Sequence, residues 1–74
     1  MEYKNRIVSD PDILRGKPRI KGTRISVELI LEKLGEGISI EELLKSYPNL
    51  TREDILAAIS YSADVIKNEE LVEG

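Results

Sequence analysis

The chain has 74 residues, of which 41% are hydrophobic and 34% are charged, with a formal net charge of −3. This length predicts one small domain and excludes a bilobal enzyme. Cys and His are both absent, which excludes disulfides, Cys nucleophiles and thiolate zinc sites. Phe and Trp are also absent, so the core must be built from Ile, Leu, Val and Ala. We expect self-association to supplement so small a core, and therefore a homodimer.

The N-terminal hexapeptide lacks the apolar centre of a signal peptide, and no apolar run approaches 18 residues. These features predict a cytoplasmic protein with no membrane partner.

The two ends of the chain differ sharply in charge. Residues 1–24 contain seven basic and three acidic residues, a net +4, whereas residues 25–74 contain four basic and eleven acidic residues, a net −7. This asymmetry indicates either a basic arm that contacts an anionic partner or a self-complementary dimer.

The N-terminal arm, residues 1–25, is predicted to be extended. Residues 6–8 are long enough only for an edge strand, and residues 10–12, Asp-Pro-Asp, favour a tight turn. Residues 16–25 contain two Gly and one Pro, which favours an extended loop that ends in a short strand. We expect no helix before residue 26.

Three helices are predicted in residues 26–67, each with a polar N-cap between two apolar residues, the pattern of the hydrophobic staple. The predicted caps are Ser26, Ser39 and Thr51, for helices over 27–35, 40–46 and 52–67. Two glycines, Gly35 and Gly37, would end the first helix, and Pro48 would end the second. One apolar face is expected along the third helix, formed by Ile55, Leu56, Ile59, Ala63 and Ile66. Residues 68–74 form an acidic tail.

This arrangement predicts an all-α, homeodomain-like three-helix domain of the helix-turn-helix type, with a short N-terminal β element. If the third helix entered a major groove, Asn49, Thr51 and Arg52 would lie near the base edges. Acidic residues on both sides of Arg52 disfavour that approach, and they are equally explained as partners of helix N-terminal dipoles.

A second candidate surface is the run of basic residues in the arm, Lys17, Arg19, Lys21 and Arg24. Spaced two to three residues apart in an extended segment, several of them can face the same way and contact phosphates. The alternative is that they pair with the acidic helices, within one chain or across a dimer. Both interpretations stay open at the level of sequence.

No catalytic or cofactor site is predicted. The pattern Gly16-Lys17-Pro18 followed by Gly22-Thr23 is not a Walker A loop, because the Lys precedes a Pro and does not open a helix. Without His or Cys, the remaining carboxylates and hydroxyls occupy helix starts and exposed positions. We therefore expect a non-enzymatic protein without a metal or another cofactor.

Two motifs resemble a known family. The sequence Gly-Lys-Pro-Arg-Ile-Lys-Gly-Thr-Arg-Ile at residues 16–25 and Tyr-Pro-Asn-Leu-Thr at residues 47–51 are similar to the two signatures of domain-of-unknown-function family 433. The resemblance covers residues 6–63. It implies a small homeodomain-like helical domain with a short N-terminal β element, often dimeric.

The resemblance also implies a function. Many members of the family are similar to VapB-type antitoxins, which bind and inhibit a PIN-like ribonuclease toxin and repress their own operon. In that case Arg19 or Arg24 would insert among acidic metal-binding residues of the toxin, or the apolar pair Leu71 and Val72 would order on its surface. The alternatives are a stand-alone homodimeric DNA-binding regulator and a plain dimerisation or adaptor domain.

Overall fold

The computed structural model describes residues 2–69 and contains three helices and a short two-stranded sheet. The main elements in chain order are β1 (Ile7–Val8), β2 (Arg19–Ile20), α1 (Val27–Gly35), α2 (Ile40–Ser46) and α3 (Arg52–Glu69). The first two helices have the predicted bounds, and α3 extends two residues beyond its predicted end. The fold is thus mostly helical with a small antiparallel β element, as expected. Leu71 and Val72 lie outside the described residues.

The β element folds the arm back on itself. Strands β1 and β2 are antiparallel, with Ile7 opposite Ile20 and Val8 opposite Arg19. Ile20 is almost fully buried, so this short pairing anchors the arm to the helical core.

All three predicted N-caps are present. The Ser26 side chain accepts a hydrogen bond from the third backbone N–H after it. Ser39 and Glu42 form a reciprocal capping box, with bonds of 2.9 and 3.1 Å. Thr51 and Asp54 do the same at 3.0 and 3.1 Å. A cap contributes about 1 kcal/mol, a material share of the stability of a domain this small.

The two glycines at the end of α1 have different roles. Gly35 is the last helical residue, whereas Gly37 has a φ of +95°. The N–H of Gly37 donates to the Leu34 carbonyl, and the N–H of Ile38 donates to the Lys33 carbonyl, at 3.0 and 3.1 Å. This is a Schellman motif, and its left-handed position is Gly37 alone.

A single 3₁₀-type turn over Leu14–Gly16 corrects the expectation of no helical structure before residue 26. Leu14, Arg15 and Gly16 have φ values of +53°, +57° and +81°. Left-handed backbone costs a non-glycine residue roughly 1–2 kcal/mol, so local sequence preference would not predict it at Leu14 or Arg15. The turn joins the Asp-Pro-Asp segment to β2.

The core receives at least one buried side chain from β2, from each helix and from the link before α3. Its members are Ile20, Val27, Ile30, Leu43, Leu50, Ile55 and Ala58. The helix α3 packs through Ile55 and Ala58, which are fully buried. Leu56 and Ile59 are each 40% exposed and Ile66 is 67% exposed, so the core covers Ile55 but leaves most of the predicted apolar face of α3 uncovered. The apolar residues of α3 are divided between an inward face and an outward face.

Within residues 2–69, no helix is long and apolar enough to cross a membrane.

Candidate functional site

The basic residues of the arm, the predicted contact surface, have different environments. Lys17 lies between the left-handed turn and β2, and its Nζ donates to Glu28 Oε1 of α1 at 2.7 Å. More than half of each side chain is exposed, so this pair is screened by solvent and contributes little stability. Its effect is to neutralise the charge of Lys17 locally.

The Arg19 side chain forms a hydrogen bond within the turn that follows β2. Its Nη1 donates to the Thr23 carbonyl at 3.0 Å, and its Nε is buried without an acceptor among the described residues. The backbone of residue 19 also forms an isolated antiparallel β-bridge with Ser26, the N-cap of α1. Arg19 therefore stabilises the connection from β2 to α1 and offers only part of its guanidinium to a partner.

Residues 21–24, which we call the arm tip, form a tight turn after β2. Thr23 Oγ1 donates to the Ile20 carbonyl at 2.9 Å and accepts from the N–H of Ile25 at 3.0 Å. Gly22 has a φ of +82°, a conformation that glycine adopts without strain. These bonds fix the backbone conformation of the turn that carries Lys21 and Arg24.

Lys21 and Arg24 are the exposed cations of the arm tip. Among the side chains of residues 2–68, no carboxylate oxygen lies within 4.0 Å of the Lys21 or Arg24 side-chain nitrogens. Lys17 differs in having the Glu28 carboxylate as a partner, and Arg19 differs in that its guanidinium is partly buried and donates to the Thr23 carbonyl. The arm tip is consequently the part of the basic segment that can meet an external anion without first breaking an internal contact.

An open groove runs from the arm tip along α1. It has a volume of about 350 Å³ and is lined by Leu14, Lys17, Arg24, Ser26, Glu28, Leu29 and Glu32. The strained turn therefore contributes Leu14 to the same surface as Arg24. A partner segment in this groove would contact apolar side chains, both signs of charge and the arm tip.

The residues predicted to read DNA from the start of α3 are mostly engaged in local contacts. The Thr51 side chain caps the helix, and Arg52 Nη1 lies 3.4 Å from Glu41 Oε2 of α2. A bond from its own backbone and the Arg52 guanidinium together lower the pKa of Glu41 below its usual value. Asn49 is exposed in the link between α2 and α3. Arg52 thus lies against a carboxylate that would be repelled by phosphate.

Two features were not anticipated from sequence. An ion pair joins Arg6 of the arm to the buried Asp54 of α3 at 3.0 Å. The second is the exposure of most of the apolar face predicted along α3, which forms an outward stripe. Helical periodicity finds such a stripe but does not say which of two adjacent faces is covered.

No group of three or more Asp, Glu, Cys or His side chains suited to hold a metal ion occurs in the part of the chain that is described. The candidate site consists of the arm tip and the adjoining groove.

Comparison with known proteins gives consistent results. Residues 7–62 match the family described as "Protein of unknown function (DUF433)". The sequence is 36% identical over 69 residues to the uncharacterized protein y4eO of Sinorhizobium fredii. That match covers 92% of this chain but 31% of y4eO, so the chain spans about a third of the length of this relative.

The fold is similar to a solved structure. The crystal structure of a DUF433 member protein from Anabaena variabilis has a TM-score of 0.81 and 35% sequence identity. The similarity covers 88% of this chain and 64% of the other.

Proposed function

We propose that this chain, which belongs to the DUF433 family of proteins of unknown function, is a non-enzymatic, antitoxin-like binding module that inhibits a PIN-like ribonuclease. In this proposal the three helices form a homeodomain-like scaffold, and the arm tip makes the inhibitory contact. The observation that carries the proposal is the exposed pair Lys21 and Arg24, without a carboxylate partner among the side chains of residues 2–68.

The chemistry of the arm tip suits an acidic active site. A nuclease of this type holds its metal with clustered carboxylates, and a guanidinium pairs with a carboxylate through two parallel hydrogen bonds. Arg24 placed among those carboxylates would compete with the metal, and Lys21 would add a second positive charge. Arg19 is less suited to this contact, because its Nη1 already donates a hydrogen bond to the Thr23 carbonyl.

The groove beside the arm tip supplies the rest of the contact. Charged pairs alone give weak binding in water, and stable complexes need buried apolar surface around them. Leu14 and Leu29 provide apolar surface in the groove next to Arg24. A ribonuclease loop that bears acidic residues beside apolar ones would match this surface.

The length of y4eO supports a module that also operates inside larger proteins, since the match occupies less than a third of that chain. This agrees better with a binding unit than with a complete enzyme.

DNA binding is the competing function, since arm-tip cations also suit phosphates. The start of α3 argues against groove insertion, because Arg52 lies against Glu41 and Glu53 is exposed beside it. A duplex would repel these carboxylates.

The proposal is tested by capturing a partner ribonuclease and then measuring its inhibition by the chain. The tagged chain is purified from nuclease-treated lysate of its source organism, and any stoichiometric ribonuclease is identified by mass spectrometry and assayed with and without the chain. We expect a metal-dependent ribonuclease whose activity is suppressed by the wild-type chain. The variant Arg24→Glu should weaken inhibition by about tenfold or more, because a bidentate attraction becomes a repulsion.

The matched control is Lys45→Glu, the same charge change on an exposed residue of α2. It should leave inhibition within about twofold of wild type, as expected for a charge remote from the contact. Equal weakening by both variants would refute the role of the arm tip. Recovery of DNA alone, when nuclease treatment is omitted, would favour the regulator instead.

A further inference from the structure

The outward face of α3 carries four apolar side chains that the monomer leaves uncovered. Leu56 and Ile59 are 40% exposed, Ile66 is 67% exposed, and Ala63 between them is also exposed. We call these four residues the α3 stripe. It is distinct from the arm tip, and the inference drawn from it does not depend on the proposed function.

The spacing of the α3 stripe is that of a helix seam. Its members follow one another at intervals of three, four and three residues, which is the a/d pattern of a heptad repeat. They extend over ten residues, or roughly 15 Å of helix. A facing helix with the same spacing would place its own side chains between them.

The charges beside the α3 stripe are arranged symmetrically. Glu53 and Lys67 are exposed and lie seven residues before and after Ser60, so all three share one flank of the seam. A two-fold axis at the middle of the stripe makes a second α3 antiparallel to the first. Glu53 of each copy then lies opposite Lys67 of the other.

The same axis matches the sizes of the apolar residues. Ile59 faces Ala63 of the second copy in the two inner layers, and Leu56 faces Ile66 in the two outer layers. A small residue opposite a large one allows the helices to approach closely at the centre. A parallel pair would instead place Ala63 against itself and would lose the Glu53–Lys67 contacts.

We propose that the α3 stripe binds a second copy of this chain as an antiparallel two-helix seam, with Glu53 and Lys67 forming two symmetry-related ion pairs. Such an interface is isologous and closes on itself, so it produces a dimer and no larger assembly. It also leaves the arm tip of each copy free.

The test is a charge exchange followed by sedimentation equilibrium of the full chain over the micromolar range. Each of Glu53→Lys and Lys67→Glu places like charges in both pairs and should weaken the dimer by about tenfold. The double variant E53K/K67E restores opposite charges and should return the dimer dissociation constant to within about threefold of wild type. The single changes shift net charge in opposite directions, so a net-charge effect would not weaken both.

The control for helix-dipole effects is Glu28→Lys, which makes the same change in the first turn of α1, where the partner of Glu28 is Lys17 of the arm and not a residue of α3. It should leave the dissociation constant unchanged. A wild-type chain that is monomeric throughout, or a double variant as weak as the single ones, would overturn the proposal.

A second measurement does not depend on the charge variants being folded. The chain contains no Cys, so Ser60→Cys and Glu53→Cys each accept a single spin label. Labels at residue 60 lie near the two-fold axis and give a short separation, whereas labels at residue 53 are offset by roughly 24 Å along the helix axis. Equal separations at both positions would indicate a parallel pair and refute the antiparallel seam.

Discussion

Arg6 Nη1 donates a hydrogen bond to Asp54 Oδ1 at 3.0 Å, joining the arm to the start of α3 across 48 residues of sequence. The other carboxylate oxygen, Oδ2, accepts from the N–H of Thr51 at 3.0 Å. Asp54 is only 7% exposed, so one buried carboxylate both caps a helix and fixes the arm. The charge is tolerated there because both of its oxygens are hydrogen-bonded.

Asp54→Ala should therefore lower the free energy of unfolding by about 2 kcal/mol, from the lost cap and the stranded Arg6. Urea denaturation followed by far-UV circular dichroism measures this loss. The matched control is Glu42→Ala, which removes the equivalent capping carboxylate of α2 at an exposed position and should cost about 0.5 kcal/mol. Equal losses would mean that the Arg6 contact contributes nothing.

The two faces of α3 give a second prediction. Ile55 is fully buried, so Ile55→Ala should cost about 3 kcal/mol of unfolding free energy through lost contacts and a cavity. Ile59→Ala removes the same atoms from a side chain that is 40% exposed, and should cost less than about 1 kcal/mol in the monomer. Denaturation at dilutions where the chain is monomeric compares them. A larger effect at Ile59 would contradict the orientation of α3.

Replacement by alanine should have opposite effects on stability at the two glycines that end α1. Gly35→Ala adds a methyl group to a helical position where no atom lies within 4 Å, and should raise the free energy of unfolding by up to about 1 kcal/mol. Gly37→Ala forces alanine into a φ of +95° and should lower it by about 1 kcal/mol. Thermal denaturation resolves the two signs, and a shift in the same direction for both would refute the Schellman geometry.

The helices were predictable because their determinants are local. A Ser or Thr cap, a staple and a Gly or Pro stop each act within a few residues, and together they gave the bounds of α1 and α2. The left-handed turn at Leu14 and Arg15 was not predictable in this way, because neither residue prefers positive φ. The bonds that close the turn run from the N–H of Gly16 to the Ile13 carbonyl and from the N–H of Lys17 to the Leu14 carbonyl.

The candidate site was predictable only as a set of residue types. The sequence singled out four of the arm's seven basic residues, but it did not separate Lys17 and Arg19, which have internal partners, from Lys21 and Arg24. That distinction depends on Glu28 and on the Thr23 carbonyl, and their positions are set by the packing of α1 against the arm. The pairing of Arg6 with Asp54 was missed for the same reason.

The phenol of Tyr3 provides a pH prediction. Its Oη donates to Asp64 Oδ2 of α3 at 2.7 Å, and its ring meets the Tyr61 ring edge to face, with centroids 5.6 Å apart. The hydrogen bond to Asp64 is the main reason that the pKa of Tyr3 is raised above its ordinary value near 10. The folded state therefore favours the neutral phenol, and this stabilisation is complete below pH 10 and is lost as pH rises through the raised pKa.

Titration of phenolate absorbance tests this contact. Asp64→Asn should lower the pKa of Tyr3 toward its ordinary value, and Tyr3→Phe should remove the component of the curve that Asp64→Asn shifts. An unchanged titration in Asp64→Asn would show that the bond does not hold the arm to α3 in solution.

Two of the arm's arginines, Arg19 and Arg24, should differ in their effect on stability. Arg19 donates to the Thr23 carbonyl and is partly buried, so Arg19→Ala should lower the free energy of unfolding by about 1 kcal/mol. Arg24 is exposed, and Arg24→Ala should change it by less than about 0.5 kcal/mol. Urea denaturation of both variants gives the comparison. If instead Arg24→Ala destabilises the chain as much as Arg19→Ala, the arm tip is a structural element, and any loss of nuclease inhibition in Arg24 variants would reflect unfolding.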